Sequence, residues 1–180
     1  MADFMDIIRG RRSIRKYKPD PVPDETLNAV LEAARWAQSW ANTQCWEIIV
    51  ITDPEIRLKL QSAVPKGNPS YAAVVEAPVL LALCAERKRA GFYKGNYATK
   101  LGDWFMFDLG IQLQNIALAA HALNLGTVVV GLMDHDAARQ VLNVPEGYEF
   151  AALVPLGYPA ETPPATPRRD TGVFVHRETF

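Results

Sequence analysis

The sequence predicts an α+β fold, a sandwich in which helices cover a sheet. Three observations predict it. Of the 180 residues, 49% are apolar and 22% charged, the balance of a folded chain of single-domain length. Helical periodicities alternate along the chain with short β-branched runs, about four strands in all. Two helices precede the first strand, which is unlike a Rossmann domain.

The elements follow in order. Phe4, Ile7 and Ile8 have helical spacing behind a possible Asp3 cap, and Gly10 ends that helix. Residues 18–23 carry three prolines and read as an extended connector. Asp24 is placed to cap a helix whose Leu27, Val30, Leu31 and Ala34 share one face. Residues 37–45 break the pattern, and 46–52 (WEIIVIT) read as a strand. Asp53-Pro54 pairs a cap with a first-turn proline, opening a helix to about Ala63. Residues 65–70 read as loop and 79–85 as a buried strand. Residues 86–102 form a long polar, aromatic-dotted connection containing Gly91, Gly95 and Gly102, of the kind that often covers a site. Asp103 is then placed to cap the longest helix, apolar nearly all round and so expected to be central and buried, which Gly126 stops after Asn124. A short strand (127–131), a short helix (134–142) and a final core strand (150–156) follow. Residues 159–180 are rich in proline and then basic. They are expected to lie on another surface, such as a second subunit, where 173–175 could add a strand.

Net charge is −1, which excludes a generally basic nucleic-acid binder. The charge is unevenly placed. Residues 1–18 hold six of the 19 Lys and Arg but only two of the 20 Asp and Glu, so this stretch is +4 and the remainder −5. Cys45 and Cys84 are too few for a disulfide scaffold and read as free thiols. With no secretory pattern and no apolar run approaching the roughly 20 residues of a membrane span, a soluble cytoplasmic protein is expected.

The chain contains no G-x-G-x-x-G after a strand, no P-loop and no G-x-S-x-G elbow. His121, His135 and His176 lack metal-ligand spacing, and His121 reads as a core histidine. Without an evident amino-acid catalyst, an enzyme of this sequence would rely on a bound cofactor. Two segments could hold one. Arg11, Arg12, Ser13 and Arg15 offer forked donors to a phosphate, with Arg168 and Arg169 as a second basic pair, or they form a solvated basic turn. Residues 37–46 (AQSWANTQCW) offer amides, hydroxyls and indoles to a flat heteroaromatic ligand, or form a capped loop packed by its tryptophans.

Five segments together resemble the FMN-dependent nitroreductase family: RRSIRKY (11–17), SWANTQCW (39–46), QNIALAAHALNLGT (114–127), VVVG (128–131) and LGYPAE (156–161). The resemblance spans nearly the whole chain. It implies one domain over residues 1–180, with a central mixed, mostly antiparallel sheet flanked by helices. It also implies a homodimer with FMN at the interface and a C-terminal arm (159–180) extending onto the partner. By position, Arg11, Arg12, Ser13 and Arg15 would hold the phosphate, ribityl chain and pyrimidine edge, with Arg168 and Arg169 at the same phosphate. Ser39, Trp40 and Asn42 would approach the ring from the partner subunit. The backbone of Val130 and Gly131 would face flavin N5, and Asn68 would contact the pyrimidine. The sequence departs from the family at Gln38 and Cys45, where proline is usual, and at Trp40, where a small residue is common. That indole would reshape the acceptor pocket, with Tyr93, Lys94 and Tyr97 either lining it or standing on a solvated lid.

The implied activity is ping-pong transfer of hydride from NAD(P)H through FMN to an electron-poor acceptor such as a nitroaromatic or quinone. Side-chain catalysts, a metal, nucleic acid and a membrane play no part in it. The alternatives are a reductase specialised for one metabolite and a non-enzymatic flavin-binding protein whose open face Trp40 blocks. A nucleic-acid-binding arm at residues 9–18 is disfavoured by its few aromatics.

Overall fold

The computed structural model describes residues 3–180. Its sheet is built from β1 (Trp46–Ile51), β2 (Val79–Glu86), β5 (Gly126–Thr127) and β6 (Tyr148–Gly157), in the order β1-β2-β6-β5 with every neighbouring pair antiparallel. Beyond β5 the N-terminal segment adds a parallel bridge between Ser13 and Thr127, and Tyr17 bridges Pro159. The sheet is therefore mixed and mostly antiparallel, as expected.

Strand alternation sends successive side chains to opposite faces. Leu80, Ala82 and Cys84 of β2 enter one core with Phe150 and Leu153, covered by α3 (Pro54–Ser62), α4 (Ala73–Glu76) and α6 (His135–Leu142). Leu81, Leu83 and Ala85 enter the other with Val154 and Leu156, covered by α2 (Asp24–Arg35) and α5 (Phe105–Ala122). The helix α1 (Phe4–Gly10) packs against α5. Asp53 caps α3 by accepting from the amides of Glu55 and Ile56, and Asp134 caps α6 through that of Ala137.

Several expectations are corrected. Pro23 occupies the cap position of α2, and Asp24 is its first residue. Trp104, not Asp103, precedes α5; Asp103 instead accepts from the amides of Phe105 at 3.3 Å and Lys88 at 2.6 Å, tying down the base of the 86–102 connection. That connection contains a hairpin, β3 (Phe92–Tyr93) with β4 (Asn96–Tyr97), turned by Lys94 and Gly95 in left-handed backbone. Short α4 had no forecast. Helix α5 is not buried all round, since Met106 (58%) and Phe107 (60%) are exposed while Asp108, Leu109, Gln112 and Ile116 face inward. Residues 173–175 form no strand; an exposed 3-10 turn at Thr171–Val173 stands there, and residues 164–180 are exposed throughout.

Candidate functional site

Helix α1 ends at Gly10, which lies close against α5, where a Cβ would come 2.6 Å from Nε2 of His121. The next residues run extended as a strap along the sheet edge. Ile14 and Tyr17 are buried as its anchors. The Ile14 amide donates to Thr127 O at 2.9 Å, and the Tyr17 hydroxyl points at Ile14 O (2.7 Å) and Pro155 O (3.2 Å). The arm is stitched to the strap where it leaves β6. The Lys18 amide donates to Tyr158 O, that of Ala160 to Lys16 O, and that of Arg15 to Oε1 of Glu161 at 2.7 Å.

This pairing leaves Arg11 and Arg12 on the wall of a cleft of about 230 Å³, shared with His121, Asn124, Glu161 and Thr162. Arg11 is held below the usual arginine range by burial, by Arg168 and by Arg12. The fold has thus brought the two basic ends of the chain within electrostatic reach of each other. Among the described residues there are four ion pairs, and none uses Arg11, Arg12, Arg15, Arg168 or Arg169. Arg12 donates to the carbonyls of Arg9 and Arg11, and Arg168 to Thr166 and Pro167. Arg169 lies over the ring of Phe174 at 5.7 Å. The Nε of Arg15 is buried and has no acceptor among the described residues. Like charges gathered this way, with a spare buried donor, are chemically matched to an anion with several oxygens. His121 is held below its ordinary value by burial and by Arg11 and Arg12. It is only half-buried and lines the cleft, which corrects its reading as a core histidine.

A second hollow of about 230 Å³ adjoins the strap, lined by Arg11, Ser13, Gly110, Gln114, Thr127 and Val129. Here the sheet edge leaves its hydrogen-bond pattern. Val130 exchanges both backbone bonds with Leu153, at 2.9 and 3.0 Å, so its N–H is committed to the sheet. Of the two backbone positions expected to face the flavin ring, only Gly131 stays exposed. Asn68 lies close by, donating from Nδ2 to Leu132 O at 3.3 Å while its Oδ1 accepts from the Ser70 amide.

The 39–44 loop is built elsewhere. Trp40–Asn42 form a 3-10 turn, with Ala41, Asn42 and Gln44 in left-handed backbone. Ser39 Oγ accepts from the Gln44 amide, and Asn42 Oδ1 from the Gln44 side chain. The Trp40 amide donates to both oxygens of Asp108 at 3.1 Å, and its indole packs on Trp104 with centroids 4.9 Å apart. Burial raises the Asp108 carboxyl. Burial and this carboxylate push the Cys45 thiol up to about 12. Asp108 and His121 are 13 residues apart on α5, about 20 Å along its axis. Within one chain, Ser39, Trp40 and Asn42 therefore stand apart from the arginine cluster. Tyr93 (69% exposed) and Tyr97 (45%) project from the hairpin, with Lys94 over the Tyr93 ring.

Sequence reasoning missed Asp108, Trp104 and Glu161. A lone acid inside an otherwise apolar helix was the available signal for Asp108.

Comparison with known proteins then places the chain. The Nitroreductase family matches it over residues 8–76 and 65–158. The chain belongs to the nitroreductase family. It is 35% identical over 178 residues to an NADH dehydrogenase of Thermus thermophilus, covering 84% of each protein. It is 30% identical over 192 residues to an FMN reductase (NAD(P)H) of Bacillus subtilis, covering all of this chain and 75% of that one. Among solved structures, an FMN-dependent nitroreductase from Clostridium difficile superposes with a TM-score of 0.79 at 27% identity, covering 98% of this nitroreductase-family chain and 99% of that chain.

Proposed function

We propose that the protein is an FMN-dependent oxidoreductase that passes electrons from NAD(P)H to an electron-poor acceptor such as a nitroaromatic or quinone. The observation that carries this reading is the cluster of Arg11, Arg12 and Arg168, none in an ion pair among the described residues, beside a hollow at the sheet edge. FMN bound here would supply two-electron redox chemistry. The residues present fit it. Arg11, Arg12 and Arg168 would hold the phosphate, with Arg169 following in the chain. Ser13 and Arg15 would serve the ribityl chain and pyrimidine edge, Asn68 would support the pyrimidine, and Gly131 would offer backbone to the ring. A cation near the pyrimidine favours an anionic reduced ring, and anchoring the distant phosphate orients the reacting end.

The site is completed by a second copy of the chain. The open face of α5, with Met106, Phe107, Gly110 and Ile111, separates the loop from the strap. Antiparallel apposition of two such faces places the Ser39–Trp40–Asn42 loop of one chain near the arginine cluster of the other. The two Trp40 indoles and the 92–97 hairpins then wall the acceptor side.

One absorption experiment tests the reading. The purified protein takes up FMN, turns yellow and is bleached by NADH or NADPH. Protein that fails to take up FMN overturns the proposal, and a yellow protein that neither nucleotide bleaches supports a binding protein instead. Replacing Arg11 or Arg168 by Ala removes a charge-assisted contact of about 2 kcal/mol, so FMN binding weakens roughly 30-fold. Equilibrium dialysis measures it, and unchanged affinity in both variants removes the phosphate assignment.

A further inference from the structure

We infer that Asp108 is a positioning residue, one carboxylate that fastens both ends of the Trp40 loop and so fixes the indole on the acceptor side. The consequence for acceptors rests on the functional reading above; the fastening itself does not. At the start of the loop the Trp40 amide donates to Oδ1 and Oδ2. At its end the Cys45 thiol reaches Oδ2 at 3.7 Å. Between these points Ala41, Asn42 and Gln44 take left-handed backbone, at φ 43°, 56° and 49°. Non-glycine residues pay for that conformation, and three within four positions persist only where their surroundings hold them.

Asp108 is 1% exposed, and none of the four ion pairs among the described residues includes it. Burying a carboxylate without a cation is costly, and an apolar residue of similar size would serve the α5 core better. Among the described residues, the only donors that meet this carboxylate are the two at the ends of the loop. The expense is offset by holding the loop, not by packing α5. With the loop fixed, the Trp40 indole seats on Trp104, which itself donates from Nε1 to Thr99 Oγ1 at 2.8 Å and packs at 5.2 Å on Phe107. Asp108 thereby registers the loop against both the hairpin connection and the open face of α5.

Hydrogen exchange on the full-length protein with FMN added tests the inference, comparing wild type with Asp108→Ala and Asp108→Asn. In Asp108→Ala the amides of residues 40–45 lose protection by about tenfold or more relative to those of β2 and β6. Asp108→Asn retains an acceptor for the Trp40 amide and restores that protection. Acceptor KM rises severalfold in the Ala variant and returns toward wild type in the Asn variant. Where Asp108→Ala does not fold, Asp108→Leu, which fills the site but offers no acceptor, gives the same reading. Unchanged protection at 40–45, a loss shared evenly with β2 and β6, or an Asn variant as exposed as the Ala variant overturns the assignment. Protein that takes up no FMN overturns the functional reading alone, and the exchange pattern still judges Asp108.

Discussion

His121 reports on the charges beside it. Burial, Arg11 and Arg12 hold it below its ordinary value. In the folded protein it therefore binds fewer protons than in the unfolded chain between that lowered value and about 6.5. Stability is fully present above about 6.5 and falls as pH drops toward the folded value. His121→Gln flattens that part of the Tm profile. Because part of the depression comes from unneutralised arginines, inorganic phosphate settling on them raises the His121 pKa in an NMR titration. A second residue-scale prediction concerns the thiols. Cys45 is pushed up to about 12 and Cys84 to about 11, chiefly by burial. Neither should react with a thiol reagent at about pH 8 in the native protein, and both should react once it is unfolded. Arg11 to Arg15 were visible in the sequence because charge clusters locally. Asp108 was not, because its role depends on Trp40, which lies 68 positions away.

Elements with strong periodicity or explicit caps were legible. β1, β2 and β6 lie within a few residues of their expected spans, and Asp53 caps its helix. The hairpin was not, since two-residue strands show no alternation. The open face of α5 was not either, because an apolar residue reads alike whether it meets its own core or a surface left for another chain. Two substitutions test the elements. Asp53→Ala removes the cap of α3 and costs about 1 kcal/mol in chemical denaturation. Gly126→Ala places a Cβ 2.5 Å from Cγ1 and 2.7 Å from Cβ of Ile14. Overpacking of that kind costs roughly 1–3 kcal/mol. It also shifts the strap between Ser13 and Arg15, so FMN retention should fall with stability.

For the whole molecule the homodimer reading makes its own prediction. Phe107→Glu with Ile111→Arg charges the exposed face of α5, and sedimentation should then find a single chain with weakened FMN binding. An intact dimer would point to a different interface. The bipolar charge of the sequence becomes spatial here: Arg168, from the far end of the chain, lies within electrostatic reach of Arg11.

The stitching of the strap also sets an order of assembly. Ser13 waits for Thr127, Tyr17 for Pro159, and the Arg15 amide for Glu161, 146 positions later. Contacts of such sequence separation form late, because the intervening chain must be ordered first. Residues 11–18 precede these partners in the chain, and they gain them only after the segment through Glu161 has been made. The arginines that would grip a phosphate are thus assembled last, and a nascent chain cannot close on its cofactor before the rest of the fold exists.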